Sequence, residues 1–156
     1  METRFPQKVL DEERKEVLQY LEDRFGIEAF HFENYEILRG VSNFWLFPKT
    51  VYLEKLKNLQ VQTVGLLFLR KVSKYLKPTS VFLQRFGYLA KKNIVSLPEE
   101  ILSILKEKNK VEIELPLEPG YIILKDKHWI LGCGLYLPGK LFSYLEPKVL
   151  KNLHNH

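Results

Sequence analysis

The stretch GYIILKDKHWILGCGLYLPGKLFSYL, Gly120–Leu145, is a series of apolar, branched and aromatic runs with two interruptions. One is Lys125-Asp126-Lys127; the other is Pro138-Gly139. Runs of this composition separated by short polar or Pro-Gly breaks form strands joined by tight turns. The segment is expected to supply two or three strands. Upstream, KVEIEL (Lys110–Leu115) alternates apolar and polar residues as a half-buried strand does, and Glu118-Pro119-Gly120 is a turn signal. Before it, PEEILSILKEKN (Pro98–Asn109) has proline near the first helical position and Glu99-Glu100 in the first turn, where the helix dipole favours acids. NIVSL (Asn93–Leu97) completes the set as a strand. The second half of the chain therefore reads as a short β-barrel with one helix near its start.

Further upstream the charge changes abruptly. Residues 49–92 carry 10 Lys/Arg against a single acid, Glu54, net +9. Residues 1–48 carry 6 against 10, net −4, and residues 93–156 carry 8 against 8, net 0. The +5 of the 156-residue chain thus arises from one middle block. A solvated lysine-rich face usually mixes Glu among its Lys, and this block does not. A block of one sign repels itself unless a partner compensates it, so a polyanion-binding surface is expected. The end of the block, KPTSVFLQRFGYLAKKNIVSL (Lys77–Leu97), holds four basic residues and no acid. Pro78 disfavours a helical Lys77, and Thr79 or Ser80 can cap a helix that starts just after them. Val81, Phe82, Leu83, Phe86, Leu89 and Ala90 then form an apolar face, with Gln84, Arg85, Lys91 and Lys92 off it. The spacing predicts an amphipathic helix whose polar side offers amides and cations only.

The N-terminal half reads as mixed α and β. Leu10, Val17, Leu18 and Leu21 recur at helical spacing over about 9–24, ending at Phe25-Gly26, where glycine can take the left-handed cap. FHFENYEILRG (30–40) and NFWLFP (43–48) read as strands, TVYLEKLKNL (50–59) as a short helix, and VQTVGLLFLRKV (61–72) as a buried strand. The overall expectation is an α+β fold, with an α/β domain over residues 1–90 and a β-barrel domain over 91–156.

No catalytic constellation is legible. His31, His128, His154 and His156 lack metal-ligand spacing, and Ser103 and Ser143 have no neighbouring His–acid pair. GCGLYLPG (132–139) lacks the spacing and the strand–loop–helix context of a phosphate loop. Its glycines instead suit a strand that bends or passes close to a neighbour. Cys133, the single cysteine, lies in an apolar run and is expected to be a buried, inert thiol. Trp45 and Trp129 are expected in the core. Tyr136, between the glycines and the Pro-Gly turn, is expected at an exposed rim, where it could stack on an unpaired base. The charged N-terminus has no signal-peptide core and no apolar run reaches 18 residues, so a cytoplasmic protein with no membrane contact is expected.

The order of parts from KKNIVSLPEEILSILKEKN through KVEIELPLEPGYIILKDKHWILGCGLYLPGKLFSYLEPK resembles a PUA domain, the small RNA-binding pseudo-barrel attached to many RNA-modifying enzymes. From KPTSVFLQRFG onward the chain is similar to the PUA regions that accompany RNA 5-methylcytosine methyltransferases. It is also similar to ribosome-biogenesis factors that place an α/β domain ahead of a PUA domain. The likeness covers about residues 77–149. The methyltransferase domain, its S-adenosylmethionine loop and its paired cysteines have no counterpart here.

The resemblance implies RNA binding without catalysis or cofactor, with tRNA or rRNA as the partner, in RNA modification or ribosome biogenesis. An RNA-modifying enzyme or a ribosome-assembly factor is the implied protein partner. Lys71, Lys74, Lys77, Arg85, Lys91 and Lys92 would then hold phosphates along the seam of the two halves, and Thr79 and Gln84 would donate neutral hydrogen bonds. Tyr136, Lys140 and Lys148 would form a second contact at the barrel rim. No metal ligands are expected. The competing reading is a protein-interaction adaptor that docks a partner enzyme through its acidic first helix and pairs the basic block with that partner's acids. An enzyme with a polar pocket assembled from distant residues is the third.

Overall fold

The computed structural model describes residues 6–49, 65–145 and 149, and it is an α+β protein. The chain divides into two compact units, Met1–Thr79 and Ser80–His156.

In the first unit, strand β1 (Gln7–Lys8) leads into helix α1 (Asp11–Phe25). Three acids, Asp11, Glu12 and Glu13, occupy the first turn of α1 and Arg24 the last, matching the dipole at both ends. Gly26 closes the helix at φ 69, where a side chain would be strained, and its N–H donates to the Glu22 carbonyl. Val17, Leu18, Leu21 and Phe25 form the buried face of α1. The sheet of this unit adds β2 (Tyr35–Arg39), β3 (Asn43–Pro48), β4 (Leu66–Val72) and β5 (Tyr75–Pro78), with strand order β1-β2-β3-β4-β5 and every pair antiparallel. Arg14 of α1 donates to the Tyr35 carbonyl at 2.9 Å and the Phe32 carbonyl at 2.8 Å, which fixes the helix to the start of β2. Ile37, Leu38, Phe44, Leu46, Phe47, Phe68 and Leu69 supply the strand side of the core.

Two expectations shift here. Residues 29–32 form a 3₁₀ turn rather than strand, so the strand expected from Phe30 starts at Tyr35. Tyr75–Pro78 is a strand without a cue in the sequence: its turn is Ser73-Lys74, with Ser73 at φ 58 and no glycine or asparagine to mark it. Pro78 is tolerated because β5 is the outer strand and the proline ends it. The helix expected over 50–59 lies outside the described residues.

The second unit opens with helix α2 (Ser80–Phe86) and a 3₁₀ turn (Gly87–Leu89), so the predicted amphipathic helix stops at Phe86. Then come β6 (Ile94–Ser96), α3 (Glu99–Lys108), β7 (Lys110–Glu112), β8 (Gly120–Lys125), β9 (Ile130–Leu137) and β10 (Lys140–Ser143). Strand order is β6-β8-β9-β10-β7; β6 runs parallel to β8 and the other pairs are antiparallel. Both faces of the central strands are covered. On one, Ile122, Leu124, Tyr136 and Leu141 pack with Leu97, Leu105 of α3, Val111 and Leu145. The other carries Ile123 and Cys133, paired across β8 and β9, and lies under α2 and its turn. Ser80 locks the start of α2 in place: its hydroxyl accepts from the Cys133 N–H at 3.0 Å and donates to the Tyr144 carbonyl at 3.3 Å. Residues 80–90, assigned on sequence to the N-terminal domain, thus belong by packing with β9.

Candidate nucleic-acid interface

The basic block is displayed in each unit separately. In the first unit four of its cations, Arg70, Lys71, Lys74 and Lys77, lie on the β4–β5 hairpin. Its register sets Arg70 directly opposite Lys77 and Lys71 opposite Leu76. Side chains alternate across a sheet, so Arg70 and Lys77 share one face while Lys71 lies on the other. Lys74 occupies the turn. Lys71 and Lys74 are exposed, and Lys77 is half-buried. Lys71 sits 5.9 Å above the Phe44 ring and Lys74 5.6 Å above Tyr75, so two of the ammonium groups are held against aromatic faces. Strands β4 and β5 contain no acid. Arg70, missed on sequence, joins the set only because β5 exists to place Lys77 across from it.

In the second unit, Arg85, Lys91 and Lys92 are exposed on α2 and on the segment leading to β6. No acid occurs between Ser80 and Pro98.

Several expected contacts fall elsewhere. The Thr79 hydroxyl donates to the Leu67 carbonyl at 2.7 Å, so its proton serves the hairpin rather than a phosphate. Gln84 donates to the Leu131 carbonyl at 2.8 Å, which anchors α2 on β9. Tyr136 is not a rim aromatic: it is 2% exposed, because its phase on β9 points it into the core, and its hydroxyl accepts from the Leu115 N–H at 3.0 Å. Lys140 is exposed, but it pairs across the strands with Glu112, and the carboxylate of Glu114 lies 3.4 Å from the Tyr136 hydroxyl. That rim sets carboxylates beside its cation, which is poor company for phosphate. Lys148 lies outside the described residues.

One of the exposed aromatics of this unit is Trp129, 63% accessible and expected in the core on sequence. It comes after the Lys127-His128 turn, where Asp126 accepts from the N–H groups of His128 and Trp129 at 2.8 and 2.7 Å. A bulge next to the turn, with Leu131 as the extra residue, gives Leu131 to the core. The alternation visible in the sequence does not carry across such a bulge.

Burial, and then proximity to Tyr144 and Cys133, raises the Tyr121 phenol above its usual pKa, and burial together with Cys133 does the same for Tyr144. Among the described residues no group of three His, Cys, Asp or Glu side chains is placed to hold a metal ion. No helix of the described residues is long and apolar enough to cross a membrane. No family model matches the chain, and no curated protein matches its sequence.

Proposed function

We propose that this chain is a non-catalytic, cytoplasmic RNA-binding protein that recognises structured RNA, tRNA or rRNA, by backbone shape and charge, in RNA modification or ribosome biogenesis. In this reading the second unit is a PUA-like barrel built on β6-β8-β9-β10-β7, and the first is the α/β domain that precedes it. An RNA-modifying enzyme or a ribosome-assembly factor would be its protein partner.

The observation that carries the reading is the β4–β5 hairpin. Arg70 faces Lys77, Lys71 and Lys74 flank them, and neither strand supplies a carboxylate. Like charges directly opposite on neighbouring strands destabilise the pair. A phosphate backbone lying along the hairpin would bring opposite charge to this run of cations and release its own counterions.

The test is a salt titration of RNA affinity. Replacing Arg70, Lys71, Lys74 and Lys77 together by Ala is expected to weaken binding about equally for all sequences. It should also flatten the slope of log K against log salt by roughly 3, near 0.7–0.9 per lost phosphate contact. An unchanged slope removes the hairpin from the interface. No affinity for any RNA at low salt sinks the reading and favours the protein-interaction adaptor.

A further inference from the structure

Trp129 and Tyr88 are large aromatic side chains left exposed in the second unit, at 63% and 74%. They come from different elements, and the residues next to them in the chain are in contact. Gly87 packs directly on Ile130: a Cβ added at Gly87 would lie 2.9 Å from Ile130 Cδ1 and 3.8 Å from Ile123 Cδ1. Tyr88 is the residue after Gly87, and Trp129 is the residue before Ile130. The fold thus brings the two aromatic residues to one region of the second unit, the 3₁₀ turn and the adjoining β8–β9 hairpin tip.

The surroundings are cationic. Lys127 is exposed on the same tip as Trp129, and Arg85, Lys91 and Lys92 are exposed around Tyr88 in the chain. Asp126, the acid of the tip, is turned onto the backbone by its bonds to the His128 and Trp129 N–H groups. Those bonds also fix the turn that carries Trp129. Glu99 and Glu100 lie beyond Ser96 in the first turn of α3, where the dipole holds them. An exposed aromatic on a fixed turn with cations about it matches the two needs of a single strand, a π-face for the base and positive charge for the backbone. A protein partner would also find a Trp, Tyr and Arg surface attractive, but the excess of lysine over acid favours phosphate.

We propose that the β8–β9 tip is a base-stacking platform: Trp129, with Tyr88 on the adjoining turn, receives unpaired bases of the bound RNA, and Lys127, Arg85, Lys91 and Lys92 track its backbone. This deepens the RNA-binding reading and rests on it. The ligand class becomes RNA with a single-stranded loop, bulge or end, rather than uniform duplex.

Trp129 is its own reporter once Trp45 is changed to Phe. In that background, titration with a short oligouridine is expected to quench Trp129 fluorescence, and an abasic oligomer of equal length is expected not to. Trp129→Ala should weaken oligouridine binding about tenfold and Tyr88→Ala somewhat less, with duplex affinity and salt slope unchanged. Both side chains are exposed, so the variants should fold; the far-ultraviolet spectrum and thermal midpoint check this. Oligouridine binding with no quench, or with Trp129→Ala at full affinity, overturns the platform and leaves the RNA-binding reading standing. No binding of oligouridine or duplex by the wild-type chain overturns both. Capture of Trp129 by a protein partner, with RNA bound elsewhere, also overturns the platform.

Discussion

Gly132→Val is expected to cost about 4 kcal/mol of the stability of the unit spanning 80–156, the sum of backbone strain and overpacking, each ~1–3 kcal/mol. Gly132 has φ +148, which a branched side chain adopts only under strain. Its missing Cβ is also the space into which Ser80 fits: a Cβ there would collide with the Ser80 hydroxyl and lie 2.9 Å from Leu145 Cδ2. Displacing Ser80 would break both bonds that lock α2 to the sheet. For a unit of this size the loss corresponds to a fall of roughly 20 °C in unfolding midpoint. Gly134→Val is the control. Its backbone is not in the left-handed region, but a Cβ would lie 2.9 Å from the Phe142 carbonyl of β10, so overpacking alone applies, about 2 kcal/mol. Circular dichroism with heating measures both. A Gly132→Val midpoint within a few degrees of wild type would refute this account of the glycine.

Cys133 is expected to react with iodoacetamide nearly four orders of magnitude more slowly in the native protein than in denaturant, since alkylation must await an opening that costs on the order of 5 kcal/mol. The residue is 1% exposed, and the weak hydrogen bond of its thiol runs to the Gly134 carbonyl at 3.5 Å. It lies on the face that α2 covers, opposite Ile123. Mass spectrometry of timed aliquots gives the rate. Rapid native labelling, together with loss of some turnover in Cys133→Ser, would replace the binding-protein reading by a catalytic one.

Elements set by local signals were readable in advance. The Gly26 cap of α1, the acidic start of α3 and the strand runs of β8, β9 and β10 depend on neighbours in sequence, and each formed where expected. β5 escaped because its turn relies on a serine at positive φ, and because Lys77-Pro78 looked like a helix boundary. The aromatic residues were exchanged for a different reason. Whether Tyr136 or Trp129 faces solvent depends on the phase of β9, and the bulge that sets this phase is fixed by pairing with β8, not by composition. The hairpin cations were legible as part of a block almost free of acids. Which of them share a face was not, because the facing of Arg70 and Lys77 is a product of register alone.

The strand order of the second unit has a consequence in time. β8, β9 and β10 are consecutive in sequence and in the sheet, whereas the outer strands β6 and β7 both come from the preceding segment that contains α3. Hairpins close small loops, while β6 must reach β8 as a parallel partner across α3 and β7. The meander 120–143 is therefore expected to form first on folding, and the 94–112 segment to add to both of its flanks late. Pulsed hydrogen exchange during refolding would detect this as early protection of the Ile122 amide and late protection of the Leu97 amide, which donates from the end of β6 to the Lys125 carbonyl. Simultaneous protection would mean that the sheet is completed in a single step. On a ribosome the same order would leave the leading segment of this unit waiting, unpaired, until the meander behind it has been synthesised.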